Sequence, residues 1–484
     1  MMKETEDIVH MNLDFLPLTT NAFIVEGNSL QIDWESVVPK YQVSYIMGNP
    51  PFIGYSLQSK EQKNDILSVY VDEKGKSYKT AGKIDYVAGW YFKAAQFMQG
   101  TTIRTAFVST NSITQGEQVA GVWKPLYDRF GIHIDFAHRT FRWDSEASLK
   151  AHVHCVIVGF SQAGGNVKKI FSDGRMTLAK NINPYLVDAD NVFIVSRKTP
   201  ISDVPKMYIG CEMKDDGNYV MTEDEKNVFL QNEPQAEKYI HPYMMGKDFI
   251  ARKSRYCLWL KDILPSELKK YPKIMERVKN VREFRLSCPS PDTNHYADKP
   301  TFPVRLRYYS EDRINPALAL PKVSSQNRRY IPMEVIDADV IAGSKLFLIP
   351  DISLYHFGVL TSNVHMAWMR TVCGRLKSDY SYASNVVYNT FPWPEPTAQQ
   401  RQKIEQTAQA ILDARALYPD SSLADLYDEL TMPPELRKAH HQNDMAVMQA
   451  YGFTKGSEAY KSEAACVAEL MKLYQKKVEE LEKR

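Results

Sequence analysis

Asn49-Pro50-Pro51-Phe52 follows the apolar run at residues 43–47. These residue types in this order can grip an amino group on a planar ring. Asn49 offers an amide oxygen and Pro50 a backbone carbonyl, so the two acceptors together take both hydrogens of an –NH2 and aim its lone pair at a methyl donor. Both prolines fix φ near −65° and lack N–H groups, which stiffens the loop. Phe52 supplies an aromatic face for a base taken out of its stack. A strand that feeds such a loop places it at the C-terminal edge of an open α/β sheet, where ligands bind. Four residues also suit an ordinary proline turn after a strand, so the elements around them must decide.

Those elements are consistent with an α/β domain over residues 1–165. Strands are predicted at 22–25, 43–47, 105–109, 132–137 and 153–160, and helices at 85–98 and 117–130, an alternation that predicts a mostly parallel sheet covered by helices. Residues 166–205 carry weak signals and read as a linker. Residues 206–395 are irregular and proline-rich, with short apolar runs at 256–260 and 345–349 and one helical stretch at 265–285. From 396 to 484 the texture turns helical: Ile404, Ala408, Ile411, Leu412 and Arg415 follow helical spacing, and 422–430 and 463–481 read the same way.

The chain has 484 residues, room for roughly three domains. Its net charge of +2 hides an asymmetry: residues 240–330 hold 19 Lys/Arg against 9 Asp/Glu, and residues 395–484 hold 12 against 15. A basic stretch interleaved with Tyr and Phe suits a polyanion surface, although it also suits a solvated face. No apolar run reaches the ~18 residues of a membrane span, and the first residues are too polar for a signal peptide. The six cysteines lack metal-ligand or disulfide-framework spacing, so no metal site is expected and reduced thiols in a cytoplasm fit best. His152 and His154 alternate along a predicted buried strand and read as core, while His440-His441 reads as helical surface.

Residues 1–165 resemble the second half of an S-adenosylmethionine-dependent DNA adenine-N6 methyltransferase. The resemblance rests on the Asn-Pro-Pro-Phe loop, on Gly27-Asn28-Ser29-Leu30, on Asp85-Tyr86-Val87 and on the segment at 107–113. The rest of the chain is similar to MmeI-like type IIL restriction–modification enzymes. Segments 255–260, 321–332 and 388–394 resemble their target-recognition domain, and 396–484, with its segment 423–428 and Met432-Pro433, resembles their C-terminal helical domain. The resemblance implies a partial Rossmann-like sheet, then a mixed α+β recognition domain, then a helical domain. It implies that Asn49 and Pro50 hold the target adenine's N6, that Pro51 stiffens the loop and that Phe52 stacks on the ring. Asn28 would lie near the cofactor's adenine. Gln326 and Arg328 would read base edges, since Gln pairs with adenine and Arg with guanine, although a phosphate contact or a plain surface loop suits them equally. Arg305, Arg307, Arg313 and Arg329 would set position on the duplex backbone.

A complete enzyme of this kind also carries a nuclease, a helical connector and a glycine-rich strand–loop–helix that holds the methyl donor. Residues 1–21 match none of these. The expectation is therefore a base-gripping half that needs a separate polypeptide for S-adenosylmethionine, with a strand at 22–25 that lacks a neighbour and a strand at 43–47 with an open edge. Two other readings stay open: a non-catalytic DNA-binding remnant, and an amino-methyltransferase for another group such as cytosine N4.

Overall fold

The computed structural model describes residues 23–143, 153–163, 167–253, 255–261, 263–298 and 315–483. The first unit is a six-stranded sheet of β1 (Tyr45–Gly48), β2 (Arg104–Thr110), β3 (His133–Trp143), β4 (Val153–Ser161), β5 (Lys168–Ser172) and β6 (Arg175–Ala179), in the order β1-β2-β4-β3-β5-β6. Only β1/β2 and β3/β5 pair in parallel, and the other neighbours are antiparallel. The sheet is thus mixed where the alternation predicted a mostly parallel one. The hairpin β5–β6 falls in the stretch read as a linker and extends this sheet.

Helices α1 (Lys60–Val69), α2 (Ala88–Phe97) and α3 (Gly116–Phe130) cover the sheet. Tyr91 of α2 anchors the packing. Its ring stacks on Phe160 at 5.4 Å and meets Phe107 and Trp123 edge-on, while its hydroxyl pairs with Ser109 Oγ at 2.8 Å. Pro125 inside α3 cannot donate to the Gly121 carbonyl; the Tyr70 hydroxyl, which donates to the neighbouring Val122 carbonyl, lies 3.2 Å from that of Gly121. Gly131, at φ 59°, closes α3 in the left-handed conformation that glycine adopts without strain.

β1 is the outermost strand, paired among the described residues with β2 alone. Tyr45 is 68% exposed and Met47 81%. Upstream, Phe23, Ile24 and Val25 are exposed and form no strand, and Ala22 lies outside the described residues. The strand expected at 22–25 is therefore not formed at 23–25, because no described strand lies beside β1 to bridge the two.

The central region builds small sheets, antiparallel except where Ile341–Ala342 pairs in parallel with Ile240–Met244. One joins Ala317–Pro321 to Glu334–Ile336 and Leu346–Pro350, another joins Ile240–Met244 to Arg255–Leu258, and a third joins Val323–Ser324 to Asp379–Ser381. The helix Leu354–Leu360 packs on α5 (Ala398–Ala416), and helix α4 (Asn363–Val372) packs on α6 (Pro434–Ala450) and α7 (Glu463–Glu482). None of the six cysteines is in a disulfide. No helix among the described residues is long and apolar enough to cross a membrane. His440 is fully buried on α6, correcting its expected surface position, while His441 is exposed and His154 half-buried; His152 lies outside the described residues.

Candidate active site and recognition segment

The Asn-Pro-Pro-Phe loop leaves the sheet directly after Gly48, at the C-terminal ends of β1 and β2. Asn49 and Pro51 are exposed, Pro50 is buried and Phe52 half-buried. The side chain of Asp85 fixes the far end of the loop. Its Oδ1 accepts the Tyr55 N–H at 3.0 Å, and its Oδ2 accepts the Ser112 hydroxyl from the loop after β2. Asp85 is itself buried, and its N–H donates to Gln118 Oε1 of α3 at 3.0 Å. Tyr86 adds a second tie, donating its N–H to the Ile53 carbonyl at 2.9 Å.

Tyr86 also connects the loop to Asn28. Its hydroxyl donates to Asp65 Oδ2 at 2.8 Å, and Asn28 Nδ2 donates to the same oxygen at 2.9 Å. Gln31 Nε2 donates to Asp65 Oδ1 at 2.6 Å, and Asn28 Oδ1 accepts the Leu30 N–H at 3.0 Å. Burial would raise the Asp65 carboxyl, but the hydrogen bonds from Tyr86, Gln31 and Asn28 outweigh it and hold it below its ordinary value. The same burial, with the bond to Asp65, pushes the Tyr86 phenol up to about 12. Asn28 is exposed, and its amide retains one acceptor and one donor position beyond these two bonds.

One feature of this end of the sheet has no counterpart in the predicted strands. The register pairs Thr110 with Cys155, Cys155 with Phe141 and Val153 with Trp143, so the β3–β4 hairpin runs two residues, roughly 7 Å, past the end of β2. Phe141 stands between His138 at 4.8 Å and Trp143 at 6.2 Å, and Trp143 is exposed. A register shift between His138 and Phe141 interrupts the alternation, which is why the sequence pattern stopped at 137. Aromatic residues at odd positions beyond the break were the available signal.

The recognition candidates lie elsewhere. Gln326 and Arg329 are exposed and Arg328 half-buried, on the turn between Val323–Ser324 and Glu334–Ile336. The Gln326 N–H donates to Asp379 Oδ1 at 3.3 Å. Burial, against the pull of Asp428 and Asp379, lowers the Arg328 guanidinium below its ordinary value. Arg329 lies 5.6 Å from the Tyr330 ring centroid. Arg305, Arg307 and Arg313 lie outside the described residues.

A mixed sheet that ends in an Asn-Pro-Pro-Phe loop, followed by a region of small sheets and a helical domain, defines a modular α/β architecture. Residues 1–172 match the MmeI DNA-methyltransferase domain, residues 188–395 the MmeI target recognition domain and residues 396–482 the MmeI C-terminal domain. The chain belongs to the MmeI family. It is 37% identical over 483 residues to DNA methyltransferase A of Bacillus subtilis (strain 168), a match that covers 99% of this chain and 53% of that protein. It also matches the structure of the type IIL restriction–modification enzyme MmeI in complex with DNA, at 43% identity and a TM-score of 0.88, over 99% of this chain and 63% of that one. The chain thus spans between about half and two thirds of the length of these relatives.

Proposed function

We propose that this chain is the base-gripping and sequence-reading part of a site-specific DNA adenine-N6 methyltransferase of a type IIL restriction–modification system. The observation that carries the reading is the Asn49–Phe52 loop at the C-terminal end of β1, clamped by Asp85. In this reading the target adenine leaves the duplex, Asn49 Oδ1 and the Pro50 carbonyl accept its two N6 hydrogens, and Phe52 stacks on one ring face. The paired acceptors keep the nitrogen lone pair out of conjugation and point it away from the loop. In this reading Phe141 and Trp143, on the β3–β4 hairpin that runs past β2, line the other side. Phe rather than Tyr at position 52 favours adenine over cytosine N4.

S-adenosylmethionine, when bound, supplies the electrophilic methyl group. The described residues fit it only in part. Asn28 keeps a donor and an acceptor for an adenine edge, but the described residues around it offer no glycine-rich turn for the ribose and amino-acid ends. The reading therefore assigns those contacts to a strand-bearing segment from outside the described residues, on this polypeptide or a separate one. The open edge of β1 is its natural seat, since a parallel strand there would cover Tyr45 and Met47.

The test is methylation of duplex DNA by the chain with and without a polypeptide carrying the glycine-rich half. The reading holds if the pair leaves N6-methyladenine and Asn49→Ala abolishes it with DNA binding retained. An inert pair would overturn it. The exposed β1 edge also favours a second reading, a DNA-binding remnant without catalysis. Steeply salt-dependent binding with no methylation by the pair would mark that case.

A further inference from the structure

The turn carrying Gln326 and Arg328 is held by the helical domain more than by its own sheet. Within the turn, the Arg328 N–H reaches the Ser325 carbonyl at 3.2 Å, and the Gln326 bond to Asp379 is long. The stronger anchors begin at the next residue. The Arg329 carbonyl accepts Arg370 Nη2 at 2.6 Å, and Arg370 Nη1 pairs with Glu463 Oε2 of α7 at 3.0 Å. The Tyr330 hydroxyl donates to Asp444 Oδ2 of α6 at 2.7 Å, and its ring stacks on His440 at 4.2 Å. The Met333 carbonyl accepts Arg415 Nη1 of α5 at 2.6 Å. Three residues, Arg329, Tyr330 and Met333, thus receive anchors that trace to all three C-terminal helices. A cavity of about 510 Å³ is lined by the turn together with Arg370, Glu463 and Cys466.

Base readout by Gln or Arg needs both hydrogen bonds of a bidentate pair in line, and such bonds weaken steeply with misalignment. Tyr330 is 3% exposed, and its bond to a buried carboxylate is charge-assisted. A rigid anchor two residues from Arg328 sets where that guanidinium stands.

We propose that Tyr330, Arg370 and Glu463 are positioning residues for sequence readout, so that the C-terminal helical domain helps determine which base pairs this chain distinguishes. The proposal rests on the reading above that the chain binds duplex DNA and that Gln326 and Arg328 face base edges.

The experiment selects bound duplexes from a randomised pool with the full chain. It then measures affinity for the selected duplex and for each of its single-base-pair variants, at several salt concentrations. Tyr330→Phe and Glu463→Gln are expected to keep the salt slope and the affinity for random duplex, while discrimination falls roughly tenfold at the positions read by Gln326 and Arg328. Gln326→Ala identifies those positions. Wild-type discrimination at every position in both variants overturns the proposal, as does an equal loss of affinity for selected and random duplexes. Should Tyr330→Phe unfold, Glu463→Gln decides alone, because it alters only an exposed ion pair. Failure of the wild-type chain to select any sequence overturns the DNA-reading assignment together with the proposal.

Discussion

Asp85 Oδ1 accepts the backbone N–H of Tyr55 at 3.0 Å, three residues beyond Phe52, while its other oxygen holds Ser112. One carboxylate thus ties the Asn-Pro-Pro-Phe loop to the loop of the neighbouring strand. Asp85→Ala removes the side-chain acceptor of the part-buried Tyr55 N–H and Ser112 hydroxyl, which costs about 0.5–1.5 kcal/mol per bond. It also frees Asn49 relative to Phe52. A misplacement of about 1 Å is worth up to ~10²-fold in rate, so the methylation rate of the complemented enzyme should fall by tens-fold while duplex affinity stays within about twofold. Single-turnover methylation beside a DNA-binding titration makes the comparison. A rate that is unchanged in a folded Asp85→Ala variant rules out the clamp.

The open edge of β1 gives a second prediction. An exposed strand edge with Tyr45 and Met47 beside it is a template for another chain. The chain without an added partner should self-associate with rising concentration, and Met47→Lys should reduce that association by placing a charge beside the edge. Sedimentation velocity of the two proteins reads the difference. Equal association would locate the sticky surface elsewhere.

Much of the methyltransferase-family domain could be read from sequence because its buried positions are apolar. The strands around Phe107 and Val158 and the helices carrying Tyr91 and Trp123 repeat with the expected periods, and they fall within a few residues of the predictions. α6 was missed for the opposite reason. Its buried face includes His440, Asn443 and Asp444, so a pattern that equates burial with apolarity passes over it. Those polar residues are satisfied by partners far away in sequence: Tyr330 and Asn363 for Asp444, Gly358 and Thr407 for Asn443. The candidate loop was legible because prolines and asparagine announce themselves locally. Its clamp was not, since the pairing of Asp85 with Tyr55 depends on the crossing of two loops.

Gly159 of β4 faces Phe136 of β3, and a Cβ built there would lie 2.1 Å from the ring. No backbone strain is involved, so the effect is pure overpacking. Gly159→Ala should destabilise the first domain by about 1–3 kcal/mol, and Gly159→Ala with Phe136→Leu should recover part of the loss. Urea unfolding of the single and double variants measures the coupling. Additive losses would show that Phe136 moves aside freely.

Asp444 gives a pH prediction with a definite sign. Burial raises its carboxyl to about 6, against the lowering bonds from the Tyr330 hydroxyl and the Asn363 N–H. The folded chain therefore keeps this proton at pH values where the unfolded chain, near the ordinary 3.8, has released it. Its contribution is fully present below pH 3.8 and is lost as the pH rises through about 6, after which the penalty is constant. A displacement of this size corresponds to at most about 3 kcal/mol at neutral pH. Asp444→Asn removes the titration, and its amide can still accept from Asn363 and donate to the Tyr330 oxygen. The variant's stability relative to the wild type should therefore rise by about 1–3 kcal/mol between pH 4 and pH 8, most of it between pH 4 and pH 6.5. Chemical unfolding at closely spaced pH values reads this difference. A difference independent of pH would mean that Asp444 titrates alike in both states and that its two hydrogen bonds fully offset its burial.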